Sequence, residues 1–402
     1  MSDAGFLTRV VIKNYKSIAA CGVDLQPLTF LVGPNGAGKS NFLDALRFVA
    51  DGLRTSLDHA LRERGGIGEV RRRSGGHPTH FGMRLEFTLP DGSAGSYAFR
   101  IGAKPNGAFE VQNEECILHP PEALASEVRF AVTAGEVSST VPGPAAASDR
   151  LYLVNASGLR EFRPAYDALS RMGFYNLNPE RIKDLQLPDA GELLARDGSN
   201  ISAVLDRIGK RRPEVKTRIE EYLSKVVPGI RGVDAATIGP RETLQFRQEA
   251  AGAESPWRFF AANMSDGTLR ALGALVALFQ SGDAPLVGIE EPEAGLHPAA
   301  VTVLLEALIE ASAARQVLVT SHSTDFLDSP SVATDSILAV VAETGSTYAG
   351  PLDSVGREAL RKRLCTAGEL LRTDQLRPDR GTLAEVSSKQ LDLLTENSAE
   401  PD

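Results

Sequence analysis

Eight consecutive residues, Gly33-Pro34-Asn35-Gly36-Ala37-Gly38-Lys39-Ser40, constrain the fold more than any other stretch, because they fit the pattern G-x-x-x-x-G-K-[ST]. The run before them, Leu28-Thr29-Phe30-Leu31-Val32, is apolar throughout and predicts a buried strand. After them Phe42, Ala45, Leu46 and Val49 recur at i, i+3, i+4 and i+7, which predicts a helix. A glycine-rich turn between strand and helix lets backbone N–H groups curl around phosphate oxygens, with the positive end of the helix behind them. In that setting Lys39 would reach the β- and γ-phosphates of a nucleotide and the Ser40 hydroxyl would ligate Mg²⁺.

Two later segments complete a chemical pattern. Leu286-Val287-Gly288-Ile289 predicts a second buried strand, and it ends in Glu290-Glu291-Pro292. Of two carboxylates at a strand end, one can hold the Mg²⁺ shell and the other can orient or deprotonate water. Thr320-Ser321-His322-Ser323 follows the next apolar strand and offers an imidazole to a phosphate or a water. Alone, the acids could be a strand-to-helix turn and the histidine a structural one. Their order behind a P-loop favours the chemical reading.

Along the chain, Arg9 to Lys13 reads as an early strand and Phe81 to Leu118 as hairpins broken at Asp91-Gly92 and Pro105-Asn106-Gly107. Residues 119–150 read as loop with one strand at most, residues 160–227 as helical, and 232–260 as strands again. Val215, Ile219, Tyr222, Leu223 and Val226 share a helical face that stops at Pro228-Gly229. Thr268–Phe279 and Pro298–Ala313 read as helices, Gln316–Thr320 and Ile337–Val341 as strands, so the C-terminal third alternates in the manner of a parallel α/β sheet. Beyond Arg372 the chain is polar, with one capping-box pattern at Thr382-Leu383-Ala384-Glu385 that predicts a short helix.

With 42% hydrophobic residues the chain can bury a large core, and its best apolar run, Ala271–Phe279, is about half the ~20 residues a membrane-spanning helix needs. The opening Met1-Ser2-Asp3-Ala4-Gly5 shows no basic segment leading into an apolar one. Three scattered cysteines, Cys21, Cys116 and Cys365, suit neither a disulfide framework nor a zinc site. These features predict a cytoplasmic protein without membrane contact. A formal net charge of −9 argues against constitutive wrapping of nucleic acid.

With Asn263-Met264-Ser265-Asp266-Gly267-Thr268 before a helix, and Glu291-Pro292-Glu293-Ala294-Gly295-Leu296-His297-Pro298, the motifs resemble the ABC-type ATPases of the branch that holds RecF, SMC proteins and the OLD nucleases. The likeness is greatest to stand-alone bacterial AAA family ATPases, and Val11-Ile12-Lys13-Asn14-Tyr15-Lys16-Ser17 resembles the first strand of that branch. It implies an α/β fold: a P-loop NTPase with an ABC-type head, a mixed, mainly parallel sheet plus an antiparallel β lobe, and a helical insert. The implied organisation is an N-terminal ATPase lobe over 1–150, a helical insert over 151–230, a C-terminal ATPase lobe over 231–372 and a polar tail over 373–402.

The resemblance implies ATP and Mg²⁺ as cofactors. Lys16, Ser17, Asn35, Gly36, Gly38, Lys39, Ser40 and Asn41 would bind nucleotide, Ser40 and Glu290 the metal, and Lys39, Glu291 and His322 would serve hydrolysis. Ser265, Asp266 and Gly267 occupy the signature, which in this family caps the γ-phosphate of the opposite protomer, so a homodimer of heads sandwiching ATP is implied. Glu290 stands where an Asp is more usual, and Ser-Asp-Gly-Thr replaces Ser-Gly-Gly-Gln, which disfavours a transporter subunit. Gln112 and Gln186 are the candidates for the Q-loop glutamine.

The stretch between the P-loop and the signature lacks heptads and resembles the compact lobe of RecF-type proteins. It holds two basic runs, Arg62-Arg64-Arg71-Arg72-Arg73 and Arg207-Lys210-Arg211-Arg212-Lys216-Arg218-Lys225, each either a solvated face or a phosphate-backbone contact. His77-Pro78-Thr79-His80 reads as a loop, and no Asp-x-Asp pair occurs, so no built-in nuclease is expected. DNA and a separate nuclease or toxin effector are the candidate partners, in DNA repair or antiviral defence. The alternative is an ATP-binding scaffold that sequesters such an effector with little hydrolysis.

Overall fold

The computed structural model describes residues 5–74, 78–121, 126–250, 255–280, 282 and 284–379. His77 and the helix expected near 382–385 lie outside them. The chain divides into two compact units, each discontinuous in sequence: residues 1–172, 334–364 and 373–402 form one, and 173–333 with 365–372 the other. Residues 151–230, expected as one helical insert, therefore contribute to both.

The first unit begins with strands β1 (Leu7–Tyr15), β2 (Ile18–Asp24) and β3 (Leu28–Val32), followed by helices α1 (Lys39–Arg54), α2 (Leu57–Arg62) and α3 (Ile67–Val70). Strands β4 (His80–Thr88), β5 (Ala94–Ala103), β6 (Phe109–His119), β7 (Val128–Thr133) and β8 (Glu136–Ser139) come next, then α4 (Tyr152–Ala156) and α5 (Arg163–Ser170). The second unit contributes β9 (Gly173–Tyr175), α6 (Pro179–Lys183), α7 (Ile201–Arg211), α8 (Pro213–Val226), β10 (Ile230–Ile238), β11 (Arg241–Gln248) and β12 (Trp257–Phe260). It continues with α9 (Asp266–Phe279), β13 (Leu286–Glu290), α10 (Pro298–Ser312), β14 (Gln316–Ser321) and α11 (Thr324–Leu327). The chain then returns to the first unit as β15 (Ile337–Glu343) and β16 (Ser346–Pro351).

In the first unit the strands lie in the order β8-β7-β6-β5-β4-β1-β2-β16-β15-β3. Every pair from β8 to β2 is antiparallel, which makes the expected β lobe, whereas β16 on β2 and β15 on β3 are parallel. In the second unit β9 and β14 flank β13, both parallel to it, and β10-β11-β12 form a small antiparallel sheet. Residues 119–150 hold two strands where one at most was expected, because a two-residue turn at Ala134-Gly135, both at positive φ, closes the β7–β8 hairpin. No helix among the described residues is long and apolar enough to cross a membrane.

Helix α1 buries Phe42, Ala45, Leu46 and Val49, the face read from its periodicity. Charge anchors its other side. Asp44 accepts from the Tyr15 hydroxyl at 2.8 Å and pairs with Lys16 at 2.5 Å, Arg47 at 2.9 Å and Arg64 at 3.1 Å, while Arg64 also reaches Asp51 at 3.0 Å. Burial alone would raise the Asp44 carboxyl, but Arg64 and Lys16 beside it hold it well below the usual carboxylate range. The Arg64 side chain is 1% exposed, so this member of the first basic run is a core counter-ion and has no face to offer DNA.

Two predictions arise from these buried charges. Arg64→Ala leaves Asp44 and Asp51 short of a buried partner and should cost about 3–5 kcal/mol in denaturant unfolding. Glu114, wholly buried on β6, accepts from Tyr97 Oη at 2.9 Å and from the backbone N–H groups of Tyr152 and Leu153 at 2.5 and 2.8 Å. Burial outweighs these bonds and pushes its carboxyl up to about 7. A raised folded-state value favours folding fully at low pH and less as pH rises, so stability should fall between about pH 4.5 and 7. Glu114→Gln should flatten that slope in melts across the same range.

Candidate functional site

The P-loop leaves the C-terminal end of β3, whose five residues are all buried. Its glycines are demanded by close approach. A Cβ on Gly33 would stand 1.9 Å from the Val340 carbonyl oxygen, and one on Gly38, at φ +100°, would stand 2.0 Å from Thr347 Oγ1. Thr347, on β16, donates to the Ala37 carbonyl at 2.9 Å and lies 2.7 Å from Ser17 Oγ, which accepts from Asn41 Nδ2 at 2.7 Å. Ser17, Asn41 and Thr347 thus brace the loop from beneath. Lys16 is turned to Asp44 on α1 instead of toward the loop.

Asn35, Gly36 and Ser40 are exposed, whereas Lys39 is buried and its ammonium donates to the loop's own Gly33 and Pro34 carbonyls at 2.8 and 3.1 Å. Gln112 packs its amide over Gly102 within the β lobe. Gln186 is buried; it accepts from the Ser202 N–H at 2.9 Å and donates to the Ile182 carbonyl. Gln186 is therefore committed to internal bonds, and Gln112 lies half-buried in the β lobe.

In the second unit the parallel register sets Glu290 opposite Thr320. Glu291, at φ +43°, breaks from the strand and donates its N–H to the Thr320 carbonyl at 3.0 Å. That unusual backbone turns its carboxylate to His322, with Nδ1 3.3 Å from Oε1, and both side chains are about two-fifths exposed. Glu293, buried, accepts from Ser321 Oγ at 2.5 Å, and Ser321 in turn accepts from the Ser323 N–H at 2.9 Å. Burial raises the Glu293 carboxyl above its ordinary value. The loop after β13 and the loop after β14 are thereby tied on both sides of the acid pair.

Ser265 caps α9 by accepting from the Thr268 N–H at 3.2 Å. Asp266 is exposed and paired with Lys183 of α6 at 2.6 Å, which offsets a negative charge at a helix end suited to anions. Gly267 is buried against the loop after β13, where a Cβ would meet the Gly295 carbonyl oxygen at 2.4 Å. Sequence reasoning missed two residues: Thr347, on a strand it did not foresee, and Arg196, which donates to Glu290 Oε1 at 3.0 Å. Only the turn pattern Asp197-Gly198-Ser199-Asn200 after Arg196 hinted at a shaped loop.

A Mg²⁺ ion suits the donors present. Among the described residues no cluster of three His, Cys, Asp or Glu side chains forms a metal cage. Mg²⁺ rarely needs one, since it keeps several waters and takes one or two protein ligands plus substrate phosphates. The exposed Ser40 hydroxyl in the first unit and the Glu290 carboxylate in the second, which already holds a cation, are donors of that chemical kind.

The family model described as "AAA domain, putative AbiEii toxin, Type IV TA system" matches residues 28–328. The chain is 26% identical over 242 residues to the DNA replication and repair protein RecF of Magnetococcus marinus, covering 58% of each. It is 28% identical over 181 residues to Structural maintenance of chromosomes protein 1 of Schizosaccharomyces pombe, covering 40% of this chain and 14% of that one. It therefore spans little more than half of the first relative and a small part of the second. In fold it is similar to a crystallised SMC head bound to the C-winged helix domain of ScpA, with a TM-score of 0.54 at 14% identity, covering 89% of this chain and 99% of that one. A second SMC head with an extended coiled coil, bound to the C-terminal domain of ScpA derived from Pyrococcus furiosus, gives a TM-score of 0.52 at 12% identity over the same shares. The architecture is an SMC-head-like α/β fold.

The approach of Gly267 to Gly295 predicts that Gly267→Ala will cost about 1–3 kcal/mol in thermal unfolding, since a backbone oxygen cannot swing aside. Ser265→Ala should cost about 1 kcal/mol through loss of the cap.

Proposed function

Because this chain belongs to the AAA-domain family of that description, as an ABC-type ATPase of the RecF/SMC branch, we propose that it hydrolyses ATP with Mg²⁺ and acts as a switch through ATP-dependent pairing of two heads. The observation that carries the reading is the Glu291–His322 pair, a carboxylate turned out of its strand by a positive φ and set 3.3 Å from an imidazole. In this reading Glu291 orients the attacking water and accepts its proton, and His322 steadies that carboxylate and the phosphate. Backbone N–H groups of the P-loop and the Lys39 ammonium hold the phosphates once Lys39 leaves the Gly33 and Pro34 carbonyls. Mg²⁺, held by Ser40 and Glu290, would neutralise charge on the transferred phosphoryl group.

The exposed Ser265 and Asp266 at the head of α9 are the surface through which this chain would cap the nucleotide of a second copy, with the helix N-terminus facing the phosphate. The names of the relatives, replication and repair for one and chromosome maintenance for the other, support DNA as the medium of the switch. A separate nuclease or toxin effector, with a role in antiviral defence, is the further reading that fits a head carrying no Asp-x-Asp metal pair. Charge gives DNA binding limited support. Arg62, Arg73, Arg207, Lys210, Arg212, Lys216 and Arg218 of the two basic runs already have carboxylate partners.

One observation favours the alternative of a scaffold with little turnover: Lys39 and Glu290 are both engaged by their own chain, so neither is poised for chemistry at rest. Glu291→Gln separates the two. As a hydrolase, the protein should lose about 10²–10⁴-fold in ATP turnover and accumulate as an ATP-bound dimer in size-exclusion chromatography. Turnover indifferent to Glu291 would overturn the catalytic assignment, and effector binding unaffected by the substitution would favour the scaffold. Turnover measured with and without duplex and single-stranded DNA tests the coupling.

A further inference from the structure

Glu290 is held by a cation from its own chain, and the geometry that delivers it is built. Strand β9 runs parallel to β13 with Tyr175 beside Ile289, so Asn176 follows on at the level of Glu290. The Asn176 N–H donates to the Arg196 carbonyl at 2.9 Å and the Asn178 N–H to the Asp197 carbonyl at 3.0 Å, which pins the 195–200 turn to the end of β9. Within the turn, Ala195 N–H donates to Asn200 Oδ1 at 2.7 Å and Ser199 N–H to Asp197 Oδ1 at 3.1 Å. Asn200 Nδ2 donates to the Leu193 carbonyl and to Asp189. Gly198 sits at φ +81° where a Cβ would press 2.8 Å from Ile182. A loop tied at this many points aims its arginine.

The two partners differ in exposure. The Glu290 side chain is 15% exposed and that of Arg196 is 44%. The acid is sunk at the strand end while the guanidinium arrives from the solvent side, so it can leave without opening the core. A shielded carboxylate left without a partner would be costly, which gives the arginine a role whenever no metal is bound.

We propose that Arg196 is a positioning residue that occupies the metal-binding acid in the metal-free state and is displaced from it by Mg²⁺. The proposal rests on the reading of Glu290 as a metal ligand. A guanidinium 3.0 Å from Oε1 and a dication on the same carboxylate repel each other, so each weakens the hold of the other. Mg²⁺ must then compete with an internal cation, and the acid never stands empty. Glu290, with one more methylene than Asp, can reach this arginine without moving the strand.

The test is a Mg²⁺ titration of the full chain at a fixed, subsaturating concentration of a fluorescent ATP analogue, read as equilibrium binding. Arg196→Ala should lower the Mg²⁺ concentration at half-maximal binding by roughly three- to tenfold, and Arg196→Lys, which keeps the charge and loses the fork, should fall between it and the wild type. In a Glu290→Gln background, Arg196→Ala should no longer move the midpoint. An unchanged or raised midpoint in Arg196→Ala, or an equal shift with Glu290→Gln present, would overturn the proposal, the raised midpoint marking Arg196 as a phosphate ligand. Wild-type binding that ignores Mg²⁺ would overturn it while leaving nucleotide binding intact. A wild type that binds no nucleotide would remove the ATPase reading, and the proposal with it.

Discussion

Parallel strand pairing is the constraint on which both halves of this chemistry depend. The P-loop leaves β3, which lies parallel to β15, and the acids leave β13, which lies parallel to β14 and β9. Parallel neighbours end at the same side, so within each unit the loops that follow them lie where strand carbonyl ends stop, the usual place for ligands in such sheets. Register does the rest. With Glu290 opposite Thr320, the next residues out are Glu291 and the Ser321-His322 pair, and a slip of one position would turn every one of these side chains to the other face.

Several acids of the chain are held by internal counter-charges. Glu290 is covered by Arg196, Asp266 by Lys183, and Asp44 by Arg64, Lys16 and Arg47. These pairs differ in kind. The Arg64 pair is buried on both sides, whereas Arg196 and Asp266 reach their partners from the solvent side, where screening weakens the pairing.

Much of this was legible in the linear chain. The strand-loop-helix around Gly33–Ser40, the helix at α9 and the strands β13, β14 and β15 follow from apolar runs and periodicity, because each is a local element with a strong pattern. The supports were not. Thr347 lies 310 positions from the Ala37 carbonyl it braces, on a strand whose Ser346-to-Pro351 sequence has no alternation to announce it. The Gly267–Gly295 approach and the Glu293–Ser321 bond join segments whose partners no spacing rule connects. Arg64 read as part of a basic run because sequence shows charge and not burial.

By itself the sequence determined which residues can bind phosphate, hold a metal or move a proton, since those capacities belong to glycine, lysine, serine, glutamate and histidine as chemical groups. It also determined the strongly patterned strands and helices, since periodicity is a property of neighbours along the chain. Tertiary structure alone decided what each of those groups is doing. Lys39 rests on its own loop, Lys16 faces Asp44, Glu290 holds Arg196, and Glu291 is swung to His322 by a backbone at φ +43°. The reason is range. Hydrogen bonds and contact ion pairs need separations of about 3 Å, and only folding brings residues distant in sequence that close.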